Sequence, residues 1–178
     1  MRRLLAVSRV LDVRIGGSAV IDQAVVSGTS FLITVIVGRL CGPTELGLFA
    51  LVISLWYLVL AFLESAITSP FAVFVHRLAD QERSAYAGSA IAHVIGLSFI
   101  ATALVGLLMV ALYSLDYPQL ALVLAAFGVT IPCRLLRQFA RRFHFATLNL
   151  NGALVLDVAV ATMEIASLFA IYFLGSLS

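Results

Sequence analysis

Lysine is absent from this chain, charge of either sign is scarce, and so is cysteine. All eleven basic residues are arginine, and with nine acids they bring charged residues to only 11% of the 178. A globular average is about a quarter. The deficit excludes a water-soluble domain: with 62% of the residues hydrophobic, a core of this size cannot hide them, so lipid must be the solvent. The two cysteines, Cys41 and Cys133, match no metal-ligand spacing and are expected near opposite membrane faces, which argues against a disulfide. Strand alternation, internal repeats and low-complexity tracts are missing, which sets aside a barrel and a repeat architecture. No cleavable signal peptide is evident, because Leu4 to Val7 is a short apolar region followed by Arg9, Asp12 and Arg14.

What the chain does have is long apolar runs. A membrane span needs about twenty mainly apolar residues, and five stretches qualify: residues 17–40, 46–66, 86–115, 119–140 and 148–174. The expected fold is therefore an all-α, multi-pass bundle in one membrane domain covering residues 1–178. Gly42-Pro43 should form the first outer turn, since glycine ends a helix at positive φ and proline suits the first turn of the next. Ser69-Pro70 should bend the chain into the short apolar piece Phe71–Val75, Asp116-Tyr117-Pro118 should form the second outer turn, and Pro132 should bend the fourth span. Ten arginines then lie on one side and only Arg39 on the other, which makes the crowded side, with the amino terminus, cytoplasmic.

Polar residues inside the spans are the candidates for chemistry. Gln23, Ser27, Ser30 and Thr34 fall within a narrow arc of a 3.6-residue helix. Such a stripe either lines a cavity or bonds to a neighbouring helix. Asp22 lies one to two turns into the first span, where an ionised carboxylate needs water or a partner. It is either an ion-binding acid or an interfacial acid pairing with Arg14 or Arg83. Asp157 and Glu164 share one face of the fifth span, with Asn149 two turns earlier, and must look into the protein or a wet cavity. With no arginine evident at mid-membrane, a hydrated ion- or proton-binding cleft is the expectation, against a buried salt bridge. Arg134, Arg137 and Arg141 recur along one helix face beside Arg142. They could grip a lipid pyrophosphate bidentately or merely anchor against anionic headgroups, and Glu64 could neutralise one of them. His93, four residues after Ser89, is a proton relay or a packed neutral ring. Gly88, Ala92 and Gly96 form a small-residue row of the kind that packs helices. Trp56 and Tyr57, at mid-span, should contact core or lipid.

One stretch carries more than composition. The first hairpin reads Arg39-x-x-Gly42-Pro43-x-Glu45-x-Gly47-x-Phe49, preceded by Asp22-Gln23 opening its helix. Thr68-Ser69-Pro70-Phe71, Tyr86-Ala87-Gly88-Ser89 and Arg141-Arg142-Phe143 follow in order. In this series the chain resembles the polysaccharide exporters, the O-antigen and lipid-linked oligosaccharide flippases of the superfamily that includes the multidrug and toxic-compound extrusion transporters. The resemblance implies most of one six-helix lobe of a two-lobe transporter in the cytoplasmic membrane. It implies movement of a polyprenyl-pyrophosphate-linked oligosaccharide by alternating access, and an acid on the first helix that takes part in cation coupling, which raises interest in Asp22. The expected partners are membrane lipid, the lipid-linked oligosaccharide and a second lobe or partner subunit, with no nucleic acid, cofactor or metal. The chain is then the amino-terminal part of a longer transporter, or a short protein that pairs with another lobe. The alternatives are a helper subunit or inactive half-lobe, and an integral-membrane polyprenyl-phosphate transferase. The transferase would need clustered acids or a histidine–acid pair, and the sequence has no Asp-x-x-Asp pair and no histidine-rich loop, so an enzyme is not expected.

Overall fold

The computed structural model describes the backbone of residues 2–40, 42–147 and 150–175; the side chains of residues 2–19 and of Asp22, Asp80, Leu150, Leu168, Ile171, Tyr172 and Leu174 lie outside the described set. Those residues are almost wholly helical: α1 (Arg2–Leu40), α2 (Pro43–Leu63), a π-turn (Glu64–Thr68), α3 (Ser69–Phe74), a 3-10 turn (Val75–Arg77), α4 (Asp80–Ser114), α5 (Pro118–Ala146) and α6 (Leu150–Gly175). Four stretches, Gln23–Leu40, Pro43–Arg77, Gln81–Ser114 and Pro118–Ala146, are long and apolar enough to cross a membrane. The 26 residues of α6 extend about 39 Å at 1.5 Å per residue, more than the ~30 Å hydrocarbon core. The exterior is greasy: Val129 is 79% exposed, Leu122 73%, and Phe99 and Met163 72% each. A surface of that kind is stable only against lipid, and the chain is an all-α membrane bundle.

Turn chemistry explains where the helices stop. Gly42 sits at φ +91° with extended ψ, a region essentially closed to other residues; its carbonyl accepts from Leu46 N–H at 3.1 Å, and Pro43 opens α2. At the end of α4, Asp116 takes φ +68°. This lets Asp116 N–H reach the Tyr113 carbonyl at 3.2 Å and Tyr117 N–H the Leu112 carbonyl at 3.0 Å, the paired bonds of a Schellman cap.

The helices extend beyond two of the expected limits. α1 begins at Arg2 rather than near residue 17, so the basic amino-terminal stretch continues the first span as helix. The second helix likewise runs past its expected end at residue 66: Ser69-Pro70, where a bend was expected, lies within a nearly continuous helix from Pro43 to Arg77. Pro70 has no N–H to give the preceding turn, and the chain widens just ahead of it: Ser69 N–H bonds the Glu64 carbonyl five residues back.

α5 is the central helix and packs against α2, α4 and α6, while α1 packs chiefly on α6. Leu124, Ile131 and Leu135 on α5, Leu63 on α2 and Val94 on α4 are fully buried. Pro132 lies within α5 and leaves the carbonyl of Gly128 without its helical donor. Thr102 Oγ1 of α4 supplies a substitute at 3.4 Å, and a Cβ on Gly128 would meet Val105 Cγ1 at 3.4 Å, so the two helices pack closely there. Thr102→Val should strand that carbonyl and cost about 1–3 kcal/mol, read as a lower melting midpoint in detergent. By contrast, the Gly88, Ala92 and Gly96 row packs on none of the described residues. All three are exposed, and neither glycine has a neighbour within 4 Å of a built Cβ. The row is turned away from the buried stripe Ala90, Val94, Ser98, Ala101 and Val105 that meets the bundle.

Candidate functional site

Charge inside the bundle gathers along α5. On the α6 side, Asp157 is 0% exposed and takes two ion pairs, Arg137 Nη2 at 2.7 Å and Arg141 Nε at 2.6 Å, one on each carboxylate oxygen. On the α2 side, Arg142 Nη2 lies 2.8 Å from Glu64 Oε1, with Nε of the same arginine donating to that oxygen at 2.9 Å. Gln138 Nε2 donates to Glu64 Oε1 at 3.4 Å, and Thr68 Oγ1 donates to Glu64 Oε2 at 3.1 Å across the π-turn. Arg134 has no carboxylate among the described residues, and its guanidinium sits 5.8 Å from the centre of the Trp56 ring. Arg141 also stacks over Phe145 at 5.2 Å.

An aromatic cluster braces this end of the molecule. Phe71, buried just after the π-turn, stacks on Tyr86 of α4 at 5.5 Å and meets Phe139 and Phe143 of α5 at 5.3 and 5.9 Å. Offset and edge contacts of this kind each add about 0.5–1.5 kcal/mol beyond burial. Two polar atoms here are buried without a hydrogen-bond partner among the described residues, Arg137 Nε and His144 Nδ1.

The ion pair corrects the expectation for Asp157. Its cleft was expected to be wet because no arginine was evident at its depth, but an antiparallel hairpin brings residues equally distant from the turn to one level. Arg141 and Arg137 precede Asp157 by 16 and 20 residues across the short link between α5 and α6, and their long side chains reach it. Arg137 and Arg141 therefore hold a carboxylate of the chain itself and do not form an open clamp for an external pyrophosphate. Glu164 shares the Asp157 face of α6, is half-buried, and its carboxylate has no partner among the described residues.

Gln23, Ser27, Ser30 and Thr34 are all exposed on α1. Among the described residues they bond no neighbouring helix. Gln23 Nε2 donates to Ser27 Oγ at 3.1 Å, Ser30 to the Val26 carbonyl at 3.0 Å and Thr34 to the Ser30 carbonyl at 2.8 Å, all within α1. The opposite side of α1, with Ala24, Val25, Gly28 and buried Thr29, lines an apolar groove of about 550 Å³ shared with α6. The stripe and Asp157 thus do not share one face. The Asp22 side chain and Asn149 lie outside the described residues. His93 is exposed, not packed, and its Nδ1 donates to the Ser89 carbonyl at 2.7 Å.

Trp56, Gln138, Thr68 and Phe71 complete the charged node without having stood out as its members. A register could have found Trp56, because Trp56–Arg134 has the same 78-residue separation as Glu64–Arg142, as two parallel helices require. No known protein family, curated protein or solved structure matches the chain.

Proposed function

We propose that the chain forms a lobe of a polysaccharide-exporter-type flippase. Working opposite a second lobe in the cytoplasmic membrane, it moves a lipid-linked oligosaccharide between leaflets by alternating access, with its amino terminus in the cytoplasm. The observation that carries this proposal is the open polar stripe on α1. Four hydrogen-bonding side chains stand exposed on an apolar helix, on the side away from α6, where lipid is a poor neighbour and a hydrated path or a facing lobe is a good one. The spelling of the Arg39–Phe49 hairpin supports the same proposal, as does the concentration of arginine at one end of the bundle.

The proposal gives each residue a role. Gln23 and Ser27 line the path, with Asp22 one residue before them. The half-buried carboxylate of Glu164, without a partner among the described residues, is the candidate for a coupling cation or proton. Asp157, Arg137 and Arg141 tie α5 to α6, and Glu64 with Arg142 ties α2 to α5, so that the lobe moves as a body. Deleting the gene should make lipid-linked oligosaccharide accumulate in the inner leaflet of spheroplasts and deplete surface polysaccharide, with recovery from a plasmid copy. Unchanged lipid-linked pools in the deletion strain would contradict the proposal.

A further inference from the structure

We infer that the groove between α2 and α5 holds an anionic phospholipid as a resident ligand, its phosphate on Arg134 and one acyl chain in the groove. The groove is a slot of about 360 Å³ whose walls include Leu48, Phe49 and Val52 on α2 and Val123 and Phe127 on α5, with Arg134 and Glu45 also lining it. The two helices run parallel in the 78-residue register. Glu45 is therefore level with Val123, eleven residues or about 16 Å from Arg134 at 1.5 Å per residue, too far for the two charges to neutralise each other.

Arg134 needs an anion that none of the described residues provides. Sixteen residues separate it from Pro118 at the start of α5, about 24 Å of helix, so it lies a few ångströms inside the far edge of a ~30 Å hydrocarbon layer. Charge at that depth is costly unless paired. The nearby carboxylates are taken, Asp157 by Arg137 and Arg141 and Glu64 by Arg142. The Arg134 guanidinium lies over the Trp56 ring, 5.8 Å from its centre, while the side chain is exposed and its donors suit a phosphate. A lipid of the nearer leaflet puts its headgroup at this end of the slot and its tail along the apolar walls. A single guanidinium matches the single charge of a phosphodiester, whereas a pyrophosphate calls for more cations. The site does not rest on the transport proposal.

Trp56 is the only tryptophan, so its fluorescence reports on the site. The full chain in nanodiscs is titrated with phosphatidylglycerol carrying brominated acyl chains, and in parallel with brominated phosphatidylcholine. Quenching by phosphatidylglycerol should show about fivefold enrichment at the site, the factor for a contact of ~1 kcal/mol. Arg134→Gln should abolish the preference, Ala126→Phe should reduce quenching by filling the slot, and Arg77→Gln should change neither. Excess water-soluble glycerol phosphate should not displace the lipid. Equal quenching by the two lipids, or a preference that survives Arg134→Gln in a variant of unchanged melting midpoint, would overturn the inference. So would displacement by glycerol phosphate, or by a polyprenyl pyrophosphate added in trace amount.

Discussion

Asp157→Asn should lower the stability of the chain by about 3 kcal/mol, the low end of the 3–5 kcal/mol range for breaking a buried ion pair. The low end applies because Arg137 keeps 30% of its side-chain surface exposed and Arg141 15%, although Asp157 has none. Asparagine fills the same space but gives two guanidiniums a neutral amide in place of a carboxylate, one of whose two ends is itself a donor. The measurement is unfolding in detergent, by heat or by increasing denaturing detergent. Asp157→Leu combined with Arg137→Met and Arg141→Met should recover most of the loss, since replacing a whole buried charge set with apolar side chains is often neutral or stabilising. Full stability of Asp157→Asn together with lost export would return Asp157 to the transport path.

The opposite pattern is expected on α1. Ser27→Leu with Ser30→Leu should leave the melting midpoint within about 0.5 kcal/mol, because neither hydroxyl bonds another helix. On the proposed function export should nonetheless fail, with lipid-linked oligosaccharide accumulating as in the gene deletion, because two leucines would make the proposed path greasy. A double variant that exports normally would remove the stripe from the path. One that unfolds would make it part of the scaffold.

The contrast between these two predictions shows what periodicity can and cannot convey. The helices and the Gly42-Pro43 turn are local properties, written in short stretches of side-chain chemistry, and they were legible. So was the arc of Gln23, Ser27, Ser30 and Thr34. Which face of the bundle that arc occupies was not legible, because a helix states which residues share a side but not what stands opposite. Asp157 illustrates the same gap in depth: its partners were visible as a basic segment, yet only the hairpin between α5 and α6 brings Arg137 and Arg141 to its level. The Gly88, Ala92 and Gly96 row has the composition of a packing face but lies outside the bundle. The π-turn at Glu64–Thr68 was not legible either, because Pro70 can be accommodated by a break, a bend or a widened turn, and the local sequence does not choose among them.

Thiol accessibility along α1 tests the central claim most directly. In cells making the chain with Cys41 and Cys133 replaced, single cysteines are placed at Ser27, Ser30, Val25 and Thr29 and treated with a charged, membrane-impermeant maleimide. Labelling at positions 27 and 30, with little at 25 and 29, is the expected result, because the stripe should meet water while the opposite face packs toward α6. Labelling confined to 25 and 29, or absent at 27 and 30 in both intact cells and inverted vesicles, would contradict a hydrated path along α1 and with it the transporter proposal.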